Sequence, residues 1–138
     1  MTIPEKKNLE RKIFRNLMDK TSLIDRRNVE INVRLYVESF FNSGKNINNI
    51  GIYWPLKNEV DIRSLNDKYS LALPRCIDNK ELLFCAWNDK QLTKDIEGIP
   101  SPDISSKISY KNLSIIFIPC LSVDKNLTRL GYGGGYFD

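Results

Sequence analysis

Residues 129–138 read Arg-Leu-Gly-Tyr-Gly-Gly-Gly-Tyr-Phe-Asp, and four of the chain's seven glycines fall among them. Glycine lacks a Cβ, so such a run can take φ > 0 and bring backbone N–H groups close to a ligand. Successive N–H groups in a loop of this kind form a concave anion site, and phosphate is the usual guest. Arg129 adds a fork-shaped cation suited to phosphate oxygens. Asp138 supplies a carboxylate, the ligand type that Mg²⁺ takes beside nucleotide phosphates. A ligand-free flexible turn is the competing reading, but a flexible linker would be richer in Ser and Gly.

The remaining chemistry is limited by what is missing. The chain has no histidine, which removes Ser-His-Asp and Cys-His mechanisms. Cys76, Cys85 and Cys120 are odd in number, widely spaced and form no CxxC pair. Zinc and disulfide frameworks are therefore not expected, and the three read as reduced, partly buried thiols. Lys7 and Arg11 share a helix face at i, i+4 spacing; on spacing alone they are a solvated basic face. Glu59 and Trp54, taken alone, are a helix-start acid and a core aromatic. The net charge of +4 suits anionic small ligands without demanding nucleic acid. The basic residues of the first helix are interleaved with Glu5 and Glu10 and no RNA-binding aromatic motif appears, so no nucleic acid partner is expected. No apolar run approaches the ~20 residues of a membrane span. The N-terminus lacks the apolar core of a signal peptide. A cytoplasmic protein without membrane contact is expected; its oligomeric state is left open.

These groups need elements to place them. Leu9, Ile13, Phe14 and Leu17 predict a helix over 5–19. Ser22 with Asp25 reads as a capping box starting a second helix, with Val29, Val33, Tyr36, Val37 and Phe40 as its stripe and Asn42-Ser43-Gly44 as its end. Ile50–Trp54 predicts a buried strand, followed by Pro55. Glu59-Val60-Asp61 predicts a short helix through about Asn66, with acids in its first turn. Tyr69–Leu73 and Leu82–Trp87 predict two more strands, Ile96–Asp103 a loop, and Leu113–Pro119 the most deeply buried strand. The pattern indicates one α/β layered domain with a mostly parallel sheet. Ligands bind beyond the carboxyl ends of such strands. That groups three segments in one site: Trp54–Glu59, 96–103 and 120–138.

The glycine run also carries a resemblance. RLGYGGGYFD is similar to the RLGYGGGYYDR signature of the 5-formyltetrahydrofolate cyclo-ligase (5,10-methenyltetrahydrofolate synthetase) family, with Phe137 in place of Tyr. Tyr53–Asp61 resembles that family's Y-x-P-x-x-x-E-[VI]-D segment. Lys7-Asn8-Leu9-Glu10-Arg11 resembles its K-x-x-L-R-like start, with Glu10 where an apolar residue is usual. Leu73-Pro74, the Phe84…Trp87 strand, Gly98–Pro102 and Ile116–Asp124 also resemble family segments. Departures are Ser101 for Glu, Cys120 for Gly, Ser122-Val123 for Ala-Phe, and no Gly before Arg129.

The resemblance implies a Rossmann-like α/β sandwich and an enzyme that cyclises 5-formyltetrahydrofolate to 5,10-methenyltetrahydrofolate with ATP and Mg²⁺. It implies ATP binding by Lys7–Arg11 and by Arg129, Leu130, Gly131, Tyr132, Gly133, Gly134, Gly135, Tyr136 and Phe137. It implies folate binding by Glu59 and Trp54 and an Mg²⁺ ligand at Asp138. The formyl oxygen attacks the γ-phosphorus, N10 then closes the ring, and phosphate leaves. Such transfer needs positioning and charge neutralisation rather than a tuned base. The match stops before the family's next Arg and a later acid. One domain over 1–138, incomplete at its C-terminus and marginally stable or weakly active, is therefore expected; a non-catalytic binding relic or inactive fragment is the alternative.

Overall fold

The computed structural model describes residues 1–88 and 91–137. Two helices come first: α1 (Ile3–Asp19) and α2 (Leu23–Asn42). Thr2 caps α1 in a full capping box: its hydroxyl accepts from the Glu5 N–H and the Glu5 carboxylate accepts from the Thr2 N–H. Pro4 sits in the first turn, where the N–H it lacks has no helical partner anyway. Ser22 caps α2 by accepting from the Asp25 N–H. Both starts are local chemistry.

The main sheet contains β1 (Asn49–Gly51), β2 (Leu71–Ile77), β3 (Glu81–Trp87) and β6 (Leu113–Ile116) in the order β3-β2-β1-β6. β1 pairs in parallel with both β2 and β6, while β2 and β3 form an antiparallel hairpin. The sheet is thus mixed, with two of its three pairings parallel, and the α/β class expected is the one observed. Two small hairpins follow: β4 (Thr93–Lys94) with β5 (Pro100–Ser101), and β7 (Ser122–Val123) with β8 (Arg129–Leu130).

Ile50, Ile52, Leu71 and Leu73 from the sheet, Val37 from α2, and Ile62 and Leu65 from the connection between β1 and β2 form the core. α2 is fastened to that connection by Arg34, which pairs with Asp67 at 3.1 Å and donates to the Ser64 carbonyl at 3.0 Å. α1 buries no residue completely. It lies over the fold as a strap tied by polar contacts. One is Asn58 Nδ2 donating to the Asp19 carboxylate at 2.7 Å.

Three expectations are corrected. No helix begins at Glu59. Residues 56–59 form a turn with Asn58 at φ 66°, and the helical segment is a 3-10 turn at Arg63–Asp67. Asn tolerates that left-handed position, and entering it breaks any helix started there. The strand predicted over Leu113–Pro119 is short and lies at the sheet edge. Ile116 and Ile118 are 39% and 42% exposed, because β1 is its one neighbour among the described residues. The 96–103 segment contains β5 and is not wholly loop.

Gly51 lies in β1, between β2 and β6. A Cβ there would sit 3.0 Å from a Phe84 ring carbon and 3.4 Å from Ile116 Cγ1. Gly51→Ala is expected to cost about 1–3 kcal/mol through overpacking, measured by urea denaturation.

Candidate functional site

The Tyr53–Glu59 segment leaves β1 and turns sharply. The Glu59 N–H donates to the Leu56 carbonyl at 3.1 Å, and the Leu56 N–H returns to Glu59 Oε1 at 2.6 Å. The turn therefore aims its own carboxylate. Tyr53 braces the segment by donating to the Val60 carbonyl at 2.6 Å. Trp54 packs edge-on against Trp87, with ring centroids 6.3 Å apart, and the Arg63 guanidinium covers its ring at 4.3 Å.

The glycine loop leaves β8. Its root is the β7–β8 hairpin, whose turn is held by Asp124 accepting from the Asn126 and Thr128 N–H groups at 2.8 and 2.9 Å. Asp124 is thus a turn cap. Arg129 reaches back to the Pro119 carbonyl at 3.4 Å and lies over the Phe137 ring at 6.0 Å. Gly133 and Gly135 take φ of +96° and +81°, a region an L side chain enters only with strain. Next to Gly135 the space is open, whereas a Cβ on Gly133 would meet the Arg11 guanidinium at 3.4 Å.

α1 supplies two arginines to this loop. Arg11 Nε donates to the Gly131 carbonyl at 3.0 Å while its Nη1 donates to Asn8 Oδ1 at 2.9 Å. Arg15 Nη2 donates to the Tyr132 carbonyl at 2.9 Å. Arg15 carried no role in the sequence reading. Its contact spans 117 positions and leaves no local pattern. Tyr132 then donates its hydroxyl to Glu59 Oε2 at 3.0 Å. Burial and the Glu59 charge push the Tyr132 phenol well above its ordinary value, so the hydroxyl keeps its proton and remains a donor.

A cavity of about 160 Å³ lies between these segments. Trp54, Leu56 and Glu59 line one side; Pro74, Cys76, Leu82, Asp95 and Ile99 line another. Arg129, Gly131, Tyr132, Gly134, Gly135, Tyr136 and Phe137, with Tyr53 and Pro119, complete it. All three segments grouped from the sequence contribute. Lys7, Asn8, Leu9 and Glu10 are exposed on α1 and do not line the cavity, and neither do Arg11, Leu130 and Gly133. Asp138 lies outside the described residues.

Asp95 was missed by the sequence reading. It is nearly buried and accepts from the N–H groups of Cys76, Glu97 and Ile99 at 2.9, 2.9 and 3.0 Å. An Asp three residues before Gly98 is a turn signature that could have revealed it. The turn it shapes presents Glu97 to the Tyr136 hydroxyl, which donates at 2.5 Å. That bond is the main cause raising the Tyr136 phenol to about 12. Burial, reinforced by Asp95, holds the Cys76 thiol at about 12. Burial also raises Cys85 and Cys120. The three cysteines are free.

The comparisons with known proteins join these pieces. The profile of the 5-formyltetrahydrofolate cyclo-ligase family matches residues 5–138. The chain belongs to that family. It is 24% identical over 139 residues to the 5-formyltetrahydrofolate cyclo-ligase of Mycoplasma genitalium, covering 96% of this chain and 74% of that protein. Its fold is that of the 5,10-methenyltetrahydrofolate synthetase of Mycoplasma pneumoniae, with TM-score 0.68, 23% identity and coverage of 95% of this chain and 74% of that one. The Aquifex aeolicus 5,10-methenyltetrahydrofolate synthetase gives TM-score 0.75 at 24% identity, with 95% and 69% covered. The cyclo-ligase family consists of ligases acting on a folate. Among the described residues no helix is long and apolar enough to cross a membrane.

Two outcomes are expected. Asp95→Ala strips three N–H groups of their acceptor and should lower the unfolding free energy by about 1–3 kcal/mol, read from thermal and urea melts. At pH 8, iodoacetamide should label Cys76 and Cys85 at least roughly tenfold more slowly in the native protein than in denaturant, followed by mass spectrometry.

Proposed function

We propose that this cyclo-ligase family member converts 5-formyltetrahydrofolate and ATP to 5,10-methenyltetrahydrofolate, ADP and phosphate, with Mg²⁺. The supporting observation is that the Glu59 carboxylate and the glycine loop face one cavity and are joined through Tyr132 at 3.0 Å. Each Glu59 oxygen accepts one internal hydrogen bond and keeps a lone pair for the N–H edge of a pterin. Trp54 offers an aromatic wall for the ring. The loop glycines with positive φ let backbone N–H groups approach the triphosphate. Arg129 in the cavity wall offsets its charge, with Arg11 and Lys7 contributing from α1, outside that wall.

The reaction runs in two displacements. The formyl oxygen attacks the γ-phosphorus and ADP departs, leaving an imidoyl phosphate. N10 then attacks the activated carbon, the ring closes, and phosphate leaves with the formyl oxygen. Positioning and charge neutralisation are the protein's share. Among the described residues no cluster of three metal-ligating side chains occurs. Asp138 would be the protein ligand of Mg²⁺ that the family signature implies, a carboxylate being the donor type this ion takes beside phosphates. When bound, the ion neutralises phosphate charge.

Incubating the chain with 5-formyltetrahydrofolate and Mg-ATP should raise absorbance in the methenyl-folate band, and EDTA should abolish the rise. Glu59→Ala should raise the KM for the folate roughly tenfold or more through loss of a charge-assisted hydrogen bond. Folate binding without any ATP-dependent rise would overturn turnover and leave a binding protein of the same fold.

A further inference from the structure

A carboxylate that recognises an aromatic N–H edge must be held in one plane, and Glu59 is held from two directions. One donor is local: the Leu56 N–H of its own turn at 2.6 Å. The other is the Tyr132 hydroxyl at 3.0 Å, which comes from the glycine loop. Tyr132 is itself fixed on both sides. Arg15 holds its carbonyl at 2.9 Å and Arg11 holds the preceding carbonyl, that of Gly131, at 3.0 Å. Its hydroxyl also lies 3.7 Å from the Met18 sulfur.

A second cavity, of about 440 Å³, lies under α1 and α2. It shares Tyr53, Glu59, Pro119 and Tyr132 with the first. The Tyr132–Glu59 pair is therefore part of the wall between the two. A shift of the glycine loop displaces the hydroxyl, and with it one of the two anchors of the carboxylate.

We propose that Tyr132 is a positioning residue that acts through Glu59, so that occupancy of the glycine loop and folate recognition are energetically coupled. The inference rests on the proposed cyclo-ligase reading of the two segments. Coupling between two sites is reciprocal: nucleotide tightens folate by the factor by which folate tightens nucleotide. The hydroxyl is the part of Tyr132 that reaches Glu59, so its removal should erase the coupling while the ring still fills its place.

The test is calorimetric titration of the full chain with 5-formyltetrahydrofolate, with and without a non-hydrolysable ATP analogue and Mg²⁺. For the unmodified chain the analogue should tighten folate roughly 5-fold or more. In Tyr132→Phe that factor should fall towards one. A double-mutant cycle gives the second readout. Removing the hydroxyl should weaken folate binding in the presence of Glu59 and have no effect in a Glu59→Ala background. A merely structural tyrosine would cost the same in both. Thermal melts establish that each variant is folded. Both ligands binding with no coupling, or with coupling retained in Tyr132→Phe, overturns the role of Tyr132 and leaves the cyclo-ligase reading standing. Neither ligand binding to the unmodified chain overturns both.

Discussion

Gly133, Gly134 and Gly135 have no side chain to bury, so the shape of the loop they form is imposed from outside. A loop held by its own packing would need apolar groups at Gly133, Gly134 and Gly135, and those would fill the space a ligand needs. The chain solves this with cations aimed at carbonyls. Arg11 and Arg15 hold the oxygens of Gly131 and Tyr132. These bonds turn carbonyl oxygens towards α1, and in a peptide that directs the partner N–H groups the other way. Charged donors make stronger hydrogen bonds than neutral ones, which suits a run of three glycines.

The same bonds explain why α1 stays on the fold. It buries no residue completely, and Leu9, Ile13 and Leu17 are about half exposed. Its attachment is polar: two arginines at the loop and the Asp19–Asn58 contact at its C-terminal end. Asn58 belongs to the turn that aims Glu59. The strap thus touches both segments that face the cavity, at its middle and at its end.

What the sequence revealed follows the range of the interactions. The caps of α2, its apolar stripe and the apolar segments of β1, β2 and β3 are written in neighbouring residues, and they were legible. The Thr2–Glu5 capping box was equally local and was overlooked, which placed the start of α1 two residues late. The turn at Asn58 hid behind the acids of 59–61, which resemble a helix start. The edge position of β6 depends on which strands flank it, and Leu113–Pro119 alone reads as a buried run. The candidate site was legible by motif, through the glycine signature and the Glu59 segment. The direction of Arg11 was not, because a cation near a glycine run suggests phosphate, while its Nε donates to a carbonyl 120 positions away.

That separation bears on how the protein is made. The β2–β3 hairpin closes over three residues and can form as soon as it is synthesised. The contact between Arg11 and Gly131 joins the first helix to nearly the last residues described. Long-range closures form late, since their loop entropy is met before any contact rewards it. During synthesis α1 therefore waits for its two arginine contacts until the glycine run emerges, with the Asp19–Asn58 contact available earlier. The Glu59 segment is thus made well before the tyrosine of the glycine run that holds one of its carboxylate oxygens.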